Sequence, residues 1–475
     1  MYDVKSKKAE EFISSEEIIS TLEYADRVKN DRGAIAGILA KARAAKGLSH
    51  REAAALIACN DKDTVDEIYR LAFDIKQQFY GNRIVLFAPL YLSNYCVNGC
   101  LYCPYHYGSD MARKKLTQQE IRAETIALQD MGHKRLAIEC GEDPVNNPIE
   151  YILESLDTIY GVKHKNGSIR RVNVNIAATT VENYGKLRDA GIGTYILFQE
   201  TYDKRGYEQL HPKGPKHDFS YHTEAMDRAM RGGIDDVGLG VLFGLENYAY
   251  EFAALLMHAE HLEASFGVGP HTISVPRVKP AQGVDPNSFE GGISDELFEK
   301  IAACIRIAVP YTGMIISTRE GAEVREKMLR AGVSQVSGAS RTSVGGYDKK
   351  NADYTDENED TRQFVVSDTR TLDEVIKWLI DTGSVPSFCT ACYREGRTGD
   401  RFMELCKSKQ ILNCCHPNAL MTLKEYLIDY ASPETREAGE KLIEKEIETI
   451  PKEQVRALVR KNIAGIQNGQ RDIYF

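Results

Sequence analysis

The chain lacks a surplus of positive charge. Sixty lysines and arginines face 69 aspartates and glutamates, a net charge of −9. A general nucleic-acid or anionic-membrane binder would want a basic face, so neither partner is expected. An unbroken apolar run is also missing. The most apolar long stretch, IAACIRIAVPYTGMIIS from Ile301, is interrupted by Arg306 and Pro310 and is too broken for a membrane span. The opening MYDVKSKKAEEFISSEE has no apolar core and no cleavage-site pattern, so no signal peptide is expected and a cytoplasmic location is. Internal repeats and low-complexity tracts are absent. What the cysteines lack is a pairing pattern. There are eleven (59, 96, 100, 103, 140, 304, 389, 392, 406, 414 and 415), an odd number in clusters. That distribution reads as metal or redox chemistry in a reducing compartment, not a disulfide framework.

What is present is a chain of 475 residues, 43% hydrophobic, enough for one large globular domain with additions. Residues 1–82 read as a helical N-terminal extension. In it Ser14 is followed three positions later by Glu17, a capping-box pattern. Strand-like runs then alternate with amphipathic helical runs: RIVLFAPLYL (83–92), RLAIECG (135–141), RVNVNIA (171–177), TYILFQE (194–200), DVGLGVLFG (236–244), HTISVPRV (271–278), YTGMIIST (311–318) and VSQVSG (333–338). Eight strand–helix units over residues 83–344 predict an α/β fold of the (β/α)8 TIM-barrel type, with a doubly wound open sheet as the alternative. The acidic, aliphatic-poor segment around 345–370 reads as an exposed loop or linker. Residues 371–475 read as a helical, cysteine-bearing C-terminal region.

Cys96, Cys100 and Cys103 follow the first strand with C-x3-C-x2-C spacing, and no fourth cysteine lies nearby. Loops after barrel strands form the catalytic face. Three thiolates can hold three irons of a 4Fe–4S cluster and leave the fourth iron open to a small molecule with donor atoms. The alternatives are a zinc site completed by His106 and three ordinary buried cysteines. Cys389, Cys392 and Cys415 form a second group, C-x2-C-x22-C, again without an obvious fourth ligand. Either a second iron–sulfur cluster or a structural zinc knot, completed by Cys414 or His416, fits that spacing.

The C-x3-C-x2-C spacing, with Tyr102 before its last cysteine, resembles the signature of the radical S-adenosylmethionine (SAM) superfamily. There the open iron is chelated by SAM. ECGEDP (139–144) occupies the place of that family's Gly-Gly-Glu turn; Cys140 replaces the first glycine, while Gly141 and Glu142 remain. GVLFGLEN (240–247), with Gly244, approximates its adenine-contacting strand. Together with CTACYREGRTGDRFM and CCHPNALMTLKEYL, the two clusters resemble the FeFe-hydrogenase maturation tyrosine lyases, the HydG family, over nearly the whole chain. A related family, the tyrosine lyases that make 2-iminoacetate for thiamine thiazole synthesis, lacks the C-terminal cluster and is the alternative.

The resemblance implies cleavage of L-tyrosine between Cα and Cβ to p-cresol and dehydroglycine. It further implies conversion of dehydroglycine to carbon monoxide and cyanide at an auxiliary iron–sulfur cluster (Cys389, Cys392, Cys415) that carries a labile extra iron. An electron donor, either a small molecule or reduced flavodoxin or ferredoxin, and the other hydrogenase maturation proteins are the implied partners. The substrate zwitterion needs a cation for its carboxylate, and Arg319, at the end of the seventh strand, is the favoured residue, with Ser340 and Arg341 as neighbours. Tyr91 is expected to pack against the substrate. Asn173 and Asn175, on one strand face, with Gln199 and Glu200 at the end of the fourth strand, suit ribose or substrate hydrogen bonds. His271 opens the sixth strand and is therefore expected on the opposite face, where it would ligate the labile iron. Two readings stay open beside this one: a single-cluster radical lyase with C-terminal zinc, and a non-catalytic iron–sulfur carrier.

Overall fold

The computed structural model describes residues 1–348, 361–408 and 410–475. Eight parallel strands close into a barrel: β1 (Arg83–Ser93), β2 (Arg135–Cys140), β3 (Arg171–Asn175), β4 (Tyr195–Ile196), β5 (Val237–Gly240), β6 (Thr272–Ser274), β7 (Gly313–Ile316) and β8 (Gln335–Ser337). Each pairs with the next, and β8 returns to β1 through Val85↔Gln335 and Leu86↔Val336. The predicted strands occur in the predicted order. They are fed by capped helices: Thr117 and Glu120 form a capping box for Gln118–Asp130, and Gly191, at φ 73°, follows the end of Val181–Asp189.

Two strands are shorter than expected. β4 stops at Ile196, although the Leu197 and Gln199 N–H groups still donate to the Gly238 and Gly240 carbonyls before an isolated bridge, Glu200↔Val241. β6 stops at Ser274, because Pro276 has no N–H for the ladder, and Phe243 donates instead to the Pro276 carbonyl.

A ninth strand, β9 (Val385–Ser387), was not expected in the region read as helical. It pairs in parallel with the first residues of β1, Arg83↔Val385, beneath the β1–β2 ladder. Three residues with a central proline give little strand signal. Pro386 is tolerated because only one neighbouring strand pairs with β9. The N-terminal helices, among them His50–Ala58 and Lys62–Tyr80, pack on the barrel helix Asp295–Ala308, where Lys300 Nζ donates to the Ile57 carbonyl at 2.7 Å. The C-terminal helices Gly399–Lys407, Ile411–Asp429, Pro433–Ile447 and Glu453–Gln467 gather on β9 and the lower barrel rim.

Of the segment read as an exposed linker, residues 349–360 lie outside the described residues. Its two ends are anchored: Tyr347 and Phe364 are buried, and the Phe364 carbonyl accepts from Thr342 Oγ1 at 2.9 Å. Among the described residues no helix is long and apolar enough to cross a membrane, and every cysteine is a free thiol.

Candidate functional site

At the upper rim β1 delivers the chain into the loop that carries Cys96, Cys100 and Cys103. That loop is held by backbone bonds on two sides. The Gly141 N–H donates to the Ser93 carbonyl (3.0 Å) and the Val97 N–H to the Glu142 carbonyl (2.8 Å), which ties it to the turn after β2. The Gly99 and Leu101 N–H groups donate to the Lys213 and Leu210 carbonyls, which ties it to the segment after β4. A Cβ at position 141 would collide with the Tyr95 carbonyl oxygen, so only glycine fits. Asn98 Nδ2 donates to Glu142 Oε2 at 2.6 Å and lies 3.8 Å from Cys96 Sγ.

The three thiols open onto a cavity of about 230 Å³ inside the barrel mouth. Burial raises all three, Cys100 to about 12 and Cys103 to about 11, so each waits as a neutral thiol for a metal to replace its proton. Lys216 supplies a permanent positive charge beside them. Burial works against its ammonium, but the Glu200 carboxylate, 3.0 Å from Nζ, offsets that. Glu200 itself takes a positive φ of 67°, a strained conformation that turns it toward this lysine. Three thiols around a cavity, with a cation at hand, fit a 4Fe–4S cluster whose open corner faces inward. Among the described residues no three metal-binding side chains converge on a point for a single ion; a cubane spreads its ligands more widely.

The same cavity is lined by Tyr91, Tyr102, Gly141, Glu142, Asn175, Glu200, Arg319 and Ser340. Arg319 is half-buried, stacks its guanidinium 3.6 Å from the Phe364 ring centroid, and has no carboxylate partner among the described residues. Burial lowers its pKa, with Tyr91, Glu200 and Cys103 pulling the other way. Ser340 Oγ is buried without a hydrogen-bond partner among the described residues. Tyr91 donates to Gln363 Oε1 at 2.8 Å. These are groups a polar ligand would satisfy.

Four expected residues lie outside the cavity. Arg341 is exposed, and its backbone N–H donates to the Tyr347 hydroxyl (2.9 Å). Asn173 shares the inward face with Asn175 but lies deeper, where Oδ1 accepts from the Thr194 N–H at 3.0 Å. Gln199 points outward and donates to Thr223 Oγ1 (2.9 Å). Gly244, at φ 110°, turns a loop against Val278. Sequence reasoning missed Glu139, Lys216, Gln363 and Phe364, all on the cavity wall. Glu139 had a signal, an acid in the inward alternation of a buried strand; Gln363 and Phe364, on the segment read as exposed, had none.

The lower rim gathers the second group of cysteines. His271, just before β6, meets Tyr393, which follows Cys392: Tyr393 Oη lies 3.0 Å from His271 Nε2. The Tyr393 ring sits 3.5 Å beneath the Arg171 guanidinium, and Phe402 packs on the imidazole at 4.8 Å. His271 Nδ1 is 3.3 Å from Asp236 Oδ1, which also accepts from the Gly399 N–H. Asp236 is buried, yet His271 and that N–H hold its carboxyl below the usual range. Arg135 Nη1 donates to the Cys389 carbonyl at 3.0 Å. Cys392 Sγ lies 3.7 Å from Cys415 Sγ, and Cys414 Sγ is 3.8 Å from the same sulfur. Arg83, whose charge acts on Cys389 and Cys415, keeps a buried Nη2 with no partner among the described residues. An orphaned guanidinium nitrogen beside grouped cysteines is what an anionic thiolate cluster would complete.

Residues 90–256 match the radical SAM superfamily, and residues 274–385 match the biotin and thiamin synthesis associated domain. Among curated proteins, 2-iminoacetate synthase of Salmonella typhimurium is 30% identical over 369 residues, covering 77% of this chain and 93% of that protein. Among solved structures, a crystal structure of HydG, a maturase of the FeFe-hydrogenase, is 54% identical and covers 98% of this chain and 100% of that one, with a TM-score of 0.94. The FeFe-hydrogenase maturase HydG from Carboxydothermus hydrogenoformans is 37% identical, with coverage of 96% and 99% and a TM-score of 0.82. With both rims of the barrel and the cysteine-bearing C-terminal region inside that match, the chain belongs to the HydG family of FeFe-hydrogenase maturases, enzymes of the radical SAM superfamily.

Proposed function

We infer that this enzyme cleaves L-tyrosine at Cα–Cβ to p-cresol and dehydroglycine, and that dehydroglycine becomes carbon monoxide and cyanide at a second iron–sulfur centre. The product would be an iron–carbonyl–cyanide unit for the hydrogenase active site. The observation that carries this reading is the presence of two separate cysteine groups at opposite rims of one barrel, each beside a cation. The working units are the barrel, 83–344, and the C-terminal region, 371–475.

Cys96, Cys100 and Cys103 would hold a 4Fe–4S cluster with SAM bound to it, which would supply one-electron radical chemistry for taking a hydrogen atom from the substrate. The chain's own residues do the rest. Tyr102, Gly141, Glu142, Asn175 and Glu200 hold the SAM side of the cavity. Arg319 takes the substrate carboxylate, and Ser340 Oγ is free to add a hydrogen bond. Tyr91 and Phe364 close the wall around them and exclude water. At the lower rim Cys389, Cys392 and Cys415 would hold the auxiliary cluster, and His271 would supply an imidazole ligand for the labile iron. Between the rims dehydroglycine passes through the barrel. Reduced flavodoxin, ferredoxin or a small-molecule reductant serves as donor in the cytoplasm, and other maturation proteins receive the product.

The likeness to 2-iminoacetate synthase favours a second reading, a simple tyrosine lyase that releases its imine product. The second cysteine group would then be structural. Anaerobic reconstitution of the wild type and a C389A/C392A variant separates the two, with iron, sulfide and zinc analysis and EPR with and without SAM. Two cluster signals are expected, one perturbed by SAM and the other lost in the variant. One cluster plus one zinc overturns the second half of the chemistry.

A further inference from the structure

The strands β1, β2 and β3 set Tyr91, Glu139 and Asn175 in one row across the cavity wall. Tyr91 pairs with Glu139 in the β1–β2 ladder, and Glu139 with Asn175 in the β2–β3 ladder. All three line the cavity. By the alternation of β2, Ala137 and Glu139 face inward, while Ile138 is packed in the core on the other face. The surface that Glu139 keeps is therefore cavity surface.

A carboxyl in such a place normally has a cation in contact. Glu139 does not. Arg319 lines the same cavity and its charge reaches Glu139, yet the two form no ion pair. The other titratable groups around Glu139 are the phenols of Tyr91 on β1 and Tyr105 on the cluster loop, and the adjoining thiol of Cys140. None is a cation. Of the carboxyls on the cavity wall, Glu200 is bound to Lys216 and Glu142 to Asn98, which leaves Arg319 and Glu139 in one cavity without an ion pair between them. Burial pushes the Glu139 carboxyl up to about 8, with Arg319 and Asn175 pulling the other way, so at neutral pH the free enzyme holds it as an acid.

An α-amino acid carries its carboxylate and its ammonium on one carbon. A receptor for that zwitterion needs a cation and an anion a few ångströms apart that do not neutralise each other. We propose that Glu139 receives the α-ammonium group of the amino-acid substrate whose carboxylate Arg319 binds, and that binding drives one proton from Glu139 to solvent. The inference rests on the tyrosine reading above. The exchange balances: a neutral carboxylic acid and a zwitterion become a carboxylate–ammonium pair and a released proton, and no bond within the substrate breaks. A ligand that has the phenol and the carboxylate but no amine gains nothing from this pairing.

The test is binding without turnover, on anaerobic holoenzyme with both clusters assembled, SAM present and no reductant. Calorimetry compares L-tyrosine, L-phenylalanine and 3-(4-hydroxyphenyl)propanoate, the deaminated analogue, on wild type and E139Q. Substitution by glutamine should weaken both amino acids by on the order of 30-fold or more and leave the deaminated analogue within about twofold. The wild type should release close to one proton per L-tyrosine at pH 7, read from heats in two buffers of different ionisation enthalpy, and E139Q none. Its apparent Kd should rise by on the order of 20-fold from pH 8.5 to 6.5, because only the ionised carboxylate pairs. Equal weakening of all three ligands would make Glu139 a structural group and overturn the proposal. So would a loss confined to the two ligands that bear a phenol hydroxyl. E139D, which keeps the charge, should retain amino-acid preference even if E139Q assembles its clusters poorly; loss of that preference counts against the proposal. If the wild type binds no L-tyrosine at all, the tyrosine reading itself fails, and this inference with it.

Discussion

The Tyr393 hydroxyl and the His271 imidazole meet at 3.0 Å across the lower mouth of the barrel. Through this contact the residue after Cys392 is pinned to a residue that opens a barrel strand. The other ring nitrogen, Nδ1, faces the Asp236 carboxyl, with Oδ1 3.3 Å away.

Replacing His271 by alanine should leave p-cresol formation near wild type and abolish most of the metal-bound carbon monoxide. Infrared detection of the carbonyl band alongside p-cresol chromatography reads both halves. An unchanged carbonyl yield would remove His271 from the iron. Y393F keeps the ring beneath Arg171 and should reduce the carbonyl yield less than H271A.

Arg319→Ala should raise the KM for L-tyrosine by about 100-fold or more while both clusters assemble, because it removes the guanidinium that lines the cavity and leaves the carboxylate unpaired. Lysine at this position keeps the charge but not the stack on Phe364 and should recover only part of the loss. Normal kinetics for R319A would reject the assignment.

Gly141→Ala places a methyl group against the Tyr95 carbonyl and 3.2 Å from Cys96 Cβ. The backbone must shift just where it holds the first cysteine loop. Iron content should fall by roughly one cluster, the SAM-sensitive EPR signal should be lost, and the other signal should persist. Retention of both signals would show the turn to be adaptable.

Glu425 is fully buried between the barrel and the C-terminal region, 2.8 Å from Arg170 and 3.5 Å from Lys134, and it accepts from the Asp472 N–H at 2.6 Å. Asp472, at φ 60°, ties Arg170 (3.1 Å) to Arg394 (2.7 Å). E425A should destabilise the fold by about 3–5 kcal/mol, since it leaves two buried cations short of a partner. Burial and Arg170 lower Lys134 to about 8, and Glu425 holds it up. A depressed lysine works against stability while the unfolded chain keeps it charged, which is below about pH 10. The Tm deficit of E425A should therefore be larger at pH 7 than at pH 10; a pH-independent deficit would locate its origin elsewhere.

The barrel was legible because apolar runs and capped helices alternate eight times, and that pattern is local. The residues of the first cysteine group, with Tyr91, Arg319 and Ser340, could be placed because they sit at or just after strand ends, which the barrel topology sends to one rim. What failed was side-chain direction beyond that rule. Asn173 and Asn175 share a face, but depth decides which one reaches the cavity. Arg341 follows Ser340 by one residue and points the other way. β9 was invisible because its pairing partner lies at the far end of the chain, and Gln363 and Phe364 because burial of a polar segment's edge is a tertiary event.

That ninth strand carries a cost in time. Arg83 and Val385 are partners some 300 residues apart, and translation at 5–20 residues per second separates them by about 15–60 s. For that interval the lower half of β1 leaves the ribosome as an open edge, able to pair with any extended chain nearby. The nascent protein is therefore expected to depend on chaperones until its last hundred residues emerge, and truncations that stop before Val385 should aggregate even though the eight barrel strands are complete.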